Sequence, residues 1–68
     1  MKDLTGKKVY VLLTQERRYT GVIDNIIFLG KNESGADIHL IELTDKYGKF
    51  VAFNSTEIKI IEEVEWYG

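Results

Sequence analysis

His39 is the single histidine of this 68-residue chain, and it stands two residues from Asp37 and three from Glu42. Imidazole beside carboxylates is the chemistry of acid–base catalysis or of a metal site. A metal site of that kind needs further nitrogen or sulfur donors, and the chain contains no cysteine and no second histidine. In an extended segment Asp37 and His39 share a face while Glu42 points to the other, which separates the carboxylates. Ser34 and Ser55 have no base to activate them except His39, so nucleophilic catalysis has little support. The expectation is a protein that binds or assembles: not an enzyme, with no metal and no cofactor.

The residues suited to reading a partner fall in short clusters. Lys31 and Asn32 form one, and Phe53, Asn54 and Ser55 another. Asparagine reads base edges, an aromatic ring stacks on a base and lysine attracts phosphate, so these are the candidate contacts to single-stranded RNA. Arg17 and Arg18, followed by Tyr19, are a secondary candidate as a basic rim. Each cluster also has a plainer reading. Asn32 is a turn former, Phe53 is a strand aromatic of the kind usually packed, and Arg17 and Arg18 suit a solvated hairpin tip. Lys7 and Lys8 lie at the far end of the first strand from Arg17 and Arg18, roughly 25 Å away by extended geometry, so the four charges do not merge into one patch.

The elements that must position these residues are β-strands. Short runs of Val, Ile, Leu, Phe and Tyr alternate with Gly, Asn, Asp and Ser clusters, and proline is absent. A first strand over 7–15 carries Val9, Val11 and Leu13 on one face, with Tyr10 and Leu12 making the other face apolar too, which predicts cover on both sides. A tight turn around 15–17 leads into a second strand over 18–29. Gly21 inside that long strand predicts a sharp bend or a close backbone approach. Residues 30–36 are the clearest loop. A third strand over 37–44, a hairpin turn at 45–48, a short fourth strand over 49–53 and a fifth over 58–64 follow. Helical spacing of Ile58, Ile61 and Val64 competes with the strand reading of 57–65, and the β-branched isoleucines favour strand.

A domain this short hides only roughly 60% of the surface its unfolded chain exposes, so its core is marginal. Without disulfides or metal, partner subunits are the remaining reinforcement. The formal net charge of −2 shows no basic excess, so nucleic-acid affinity must come from a local patch or from patches repeated around an assembly. No apolar run approaches the ~20 residues of a membrane span, and residues 1–6 carry no apolar signal core. The expected location is cytoplasmic, with no membrane partner.

Leu4, the run Gly6-Lys7-Lys8-Val9, Val11 and Leu13, and then Arg18-Tyr19-Thr20-Gly21-Val22-Ile23, resemble the first half of the first motif of the Sm-like (LSm) family, which includes Hfq. Ile58 and Ile61 resemble the paired apolar positions closing its second motif. The resemblance spans nearly the whole chain. At the positions of the family's aspartate and asparagine this chain has Ile27 and Lys31, and Asn54-Ser55 stand near its missing Arg-Gly pair. The resemblance implies a single all-β domain: a small, five-stranded, strongly bent antiparallel barrel, its N-terminal helix absent or reduced to a turn. It also implies a homo-oligomeric ring, with the loops after the second and fourth strands facing a central pore. The ring should hold roughly five to seven copies of the chain, joined through open strand edges in a heterologous contact. Trp66 and Tyr67 are expected either to dock on a neighbouring subunit or to fray. The alternative is a structural or protein-interaction barrel of the SH3 or Tudor kind, or an Sm-like ring without RNA binding.

Overall fold

The computed structural model describes residues 3–64, and Trp66 and Tyr67 lie outside them. Five strands follow in order: β1 (Lys8–Leu13), β2 (Arg18–Lys31), β3 (Asp37–Asp45), β4 (Phe50–Asn54) and β5 (Ile58–Glu63). Single 3-10 turns, Thr14–Glu16 and Ser55–Glu57, are the only helical elements among the described residues. The N-terminal segment is a turn, in which Lys7 N donates to Leu4 O at 2.9 Å and Gly6 N to Ile23 O at 2.8 Å. The described residues 57–63 place Glu57 in the second 3-10 turn and the isoleucines in a strand.

All strands belong to one antiparallel sheet of order β4-β3-β2-β1-β5. The sheet is not closed: β4 and β5 are its two edges. Their connection is nonetheless only Ser55–Glu57. Strands four places apart in a flat sheet would be roughly 19 Å from each other. Three residues of 3-10 turn, at about 2 Å of rise each, cannot span that. The sheet therefore curls strongly enough to bring the end of β4 near the start of β5.

The concave face carries the core. Val9, Val11 and Leu13 from β1, Ile23 from β2, Ile41 and Leu43 from β3 and Phe53 from β4 are buried, and Leu4 closes one end. Period-two alternation puts these residues on one face. The opposite face of β1, with Lys8, Tyr10 and Leu12, is only half-buried, so cover on both sides is not what the fold provides.

β2 does the bending. Its first residues pair with β1 through Val22, its remainder pairs with β3 from Gly21 to Lys31, and the β3 ladder is broken by bulges at Ile23/Asn25 and Phe28/Gly30. Gly21 and Val22 are where β2 pairs on both sides at once, Gly21 opposite Val9 and Asp45. A Cβ there would lie 2.6 Å from Asp45 Cα and closer still to the Thr44 carbonyl oxygen. Of the two meanings a strand glycine can have, close backbone approach is the one this contact demonstrates.

Candidate nucleic-acid interface

Lys31 is the last residue of β2, not a loop residue, and it pairs across the ladder with Asp37. Its Nζ stands 2.6 Å from Asp37 Oδ1 and 3.5 Å from Gly35 O. The ammonium beside Asp37 holds that carboxyl below the usual carboxylate range, first by the hydrogen bond and then by its charge. Lys31 thus reaches the site already neutralised. Asn32 uses its side-chain oxygen to accept from Ser34 N at 2.9 Å and Ala36 N at 3.0 Å, the local bonding that makes asparagine a turn former.

Asn54 ends β4, opposite Leu40, and its backbone N–H donates to Glu57 Oε2 at 3.1 Å. Its own Oδ1 turns toward the Glu57 amide in a capping-box arrangement. That contact falls short of a full hydrogen bond, because the buried Oδ1 has no partner of hydrogen-bonding geometry. Ser55 Oγ accepts from His39 N at 2.9 Å and ties the 3-10 turn to β3. Phe53 belongs to the core: it is 3% exposed and stacks on Tyr19 with ring centroids 6.3 Å apart. A ring so enclosed offers no face to a base, and its place in the sheet, between Ala52 and Asn54 on the inner side, is the reason.

Arg17 and Arg18 separate. Arg17 Nη2 reaches Glu57 Oε1 at 3.1 Å and links the β1–β2 turn to the turn before β5. Arg18 lies on the opposite face, in the line of Tyr10 and Thr20. No continuous basic rim results.

The register does gather the other candidates at one end of the sheet. Phe28 pairs with His39, Gly30 with Ile38 and Lys31 with Asp37, while His39 is bonded to Ser55. His39 shares its strand face with the buried Ile41 and Leu43, so it forms the last layer of the concave side, beyond the core. There Phe28 meets its imidazole edge-on, with centroids 5.6 Å apart, and remains 57% exposed. Lys31 and Asn32 follow Phe28 at this end of the sheet, and Ser55 reaches it through its bond to the His39 backbone. Phe28 and His39 as a stacking platform escape a reading of the sequence, because Phe28 sits in an apolar run, Ile26-Ile27-Phe28-Leu29, that reads as core. Apolar residues on both faces of a strand whose neighbours end is the signal that some must be exposed.

Comparison of the chain with protein-family models, with curated proteins and with solved structures finds no match. Among the described residues no cluster of histidine and carboxylate side chains could hold a metal ion. No helix in them is long and apolar enough to cross a membrane.

Proposed function

We propose that this chain is a ring-forming Sm-like protein, a small bent β-barrel that binds single-stranded RNA at the Phe28 end of its sheet. The observation that carries this reading is the pair of unpaired edges, β4 and β5, brought toward one another by a curled sheet. Exposed edges recruit strands. Joining β4 of one copy to β5 of the next uses two different surfaces, so the contact repeats and closes when the rotation permits. The residues that resemble the Sm-like motif support it: Val9, Val11, Leu13 and Ile23 are core, and Gly21 is the close approach. In such a ring every copy would present Phe28, His39, Asn32, Asn54 and Ser55. Repetition multiplies a weak contact into usable affinity without a basic chain.

A specific observation favours the second reading, a protein-interaction or structural module. Lys31 and Arg17 are both neutralised within the chain, by Asp37 and Glu57, and supply less attraction for phosphate than free cations. Titration of labelled oligo-U and oligo-A at low and moderate salt separates the two. RNA binding weakens as salt rises, and Phe28→Ser, a change at an exposed site, weakens it further by roughly tenfold per stacked base. Absence of salt-sensitive binding at tens of micromolar protein would leave the interaction module as the better account.

A further inference from the structure

At the other end of β3, Tyr10, Arg18, Thr20, Asp45, Lys46 and Tyr47 line an open groove of about 300 Å³. That volume is at the lower end of the roughly 300–1,000 Å³ of small-ligand sites. Three strands build it. Tyr10 of β1 pairs with Thr20 of β2, Gly21 pairs with Asp45 of β3, and Lys46 N donates to Thr20 O at 2.9 Å. The β3–β4 turn is fixed from within: Asp45 Oδ1 accepts from Tyr47 N at 2.9 Å and Lys49 N at 2.8 Å. This rigid turn holds up Tyr47, 83% exposed. Lys46 Nζ stands 5.2 Å from the centre of that ring, within cation–π range.

Cations without a carboxylate partner coincide with tyrosine rings in the groove; among the described residues Lys49 and Lys59 also lack such a partner, but neither lines it. Lys7, Arg17 and Lys31 are paired with Glu63, Glu57 and Asp37. Among the described residues Arg18 and Lys46 have no carboxylate in ion-pair range, and the groove's own carboxylate, Asp45, is engaged with backbone amides. Two unpaired cations beside two tyrosines, one of them held nearly free of the surface, match a ligand carrying both an aromatic ring and a phosphate. An extended apolar peptide would use the rings and leave both cations unanswered.

We infer that this groove is a binding site for a nucleotide unit, its base stacked on Tyr47 and its phosphate held by Arg18 and Lys46. Asp37 and Asp45 are the two ends of β3, roughly 27 Å apart in extended geometry, so the Phe28 end and this groove are distinct sites. The inference requires neither the ring nor RNA binding at Phe28. The ligand is either a free nucleotide or one residue of a longer strand.

Binding of free AMP and UMP, and of labelled hexa-adenylate and hexa-uridylate, is measured on wild type, Tyr47→Ser, an Arg18→Gln/Lys46→Gln double variant, Phe28→Ser and the control Lys59→Gln. All these positions are exposed, and circular dichroism confirms the fold of each variant. The groove variants should weaken binding by roughly tenfold or more, and Lys59→Gln should leave it unchanged. Hexanucleotides bound far more tightly than mononucleotides identify a strand as the ligand; equal affinities identify the free nucleotide. Binding of mononucleotides without hexanucleotides supports the groove and contradicts the RNA reading. Hexanucleotide binding lost in Phe28→Ser and intact in both groove variants overturns the groove and keeps the RNA reading. No binding of any probe overturns both.

Discussion

A side chain at position 21 would have to push the Thr44–Asp45 backbone away from β2, at the point where β2 is hydrogen-bonded on both sides. The obstacle is main chain and cannot rotate aside, so even Gly21→Ala should cost at least ~2 kcal/mol, above the usual cost of a surface change. Urea unfolding of the variant measures this, and an unchanged midpoint would remove Gly21 from the account of the fold. The glycine's importance was legible in the sequence, because little else explains glycine in the middle of a long apolar strand. Its reason was not, since bend and close approach look alike until the neighbouring strand is placed. The candidate ligand residues divide similarly. Lys31 was legible as a cation in the loop after the second strand, and neither its place at the end of β2 nor its partner Asp37 was. A hydrogen bond that lowers a carboxyl's pKa stabilises the fold above the ordinary value of 3.8, and the contribution is lost as pH falls through the lowered pKa. Asp37 is exposed, so the stabilisation is small. By NMR titration its carboxyl should have a midpoint below 3.8, returning toward 3.8 in Lys31→Ala; a wild-type midpoint at or above 3.8 would deny the pair.

The turn joining β1 to β2 places two successive residues, Gln15 at φ 63° and Glu16 at φ 58°, in the left-handed region. Such a pair matches the right-handed twist of a hairpin, yet it favours asparagine and glycine, and neither is present. Left-handed backbone costs a non-glycine residue roughly 1–2 kcal/mol. Glycine's greater freedom in the unfolded chain offsets about 0.4–1 kcal/mol of any relief. Glu16→Gly should therefore stabilise the protein by roughly 0.5–1 kcal/mol, seen as a higher melting temperature. A fall in melting temperature would mean that Glu16 contributes something beyond its backbone. At this scale the sequence was most informative, because turn chemistry and two-residue alternation mark strands locally. The errors lie where pairing overrides punctuation. β2 runs through Gly30 to Lys31 because a bulge at Phe28/Gly30 absorbs the glycine, and β4 continues to Asn54 because Leu40 pairs with it. Phe28 and Phe53 sit in similar apolar runs, and only the sheet's extent decides that one is open and the other core.

Eight buried side chains among the described residues are a thin core for a molecule extending 43 × 24 × 18 Å. Phe50 on β4 and Ile60 on β5 are exposed apolar residues on the two strands that lack an outer partner. A chain with so little to bury gains most by completing its sheet with another copy, and edge-to-edge pairing covers both features at once. Light scattering on the purified protein tests this directly. A mass several times 7.9 kDa at micromolar concentration is expected, shifting toward the single chain when the exposed β4 residue Ala52 is replaced by proline. A wild type that stays at 7.9 kDa under those conditions would contradict the assembly on which the proposed function rests.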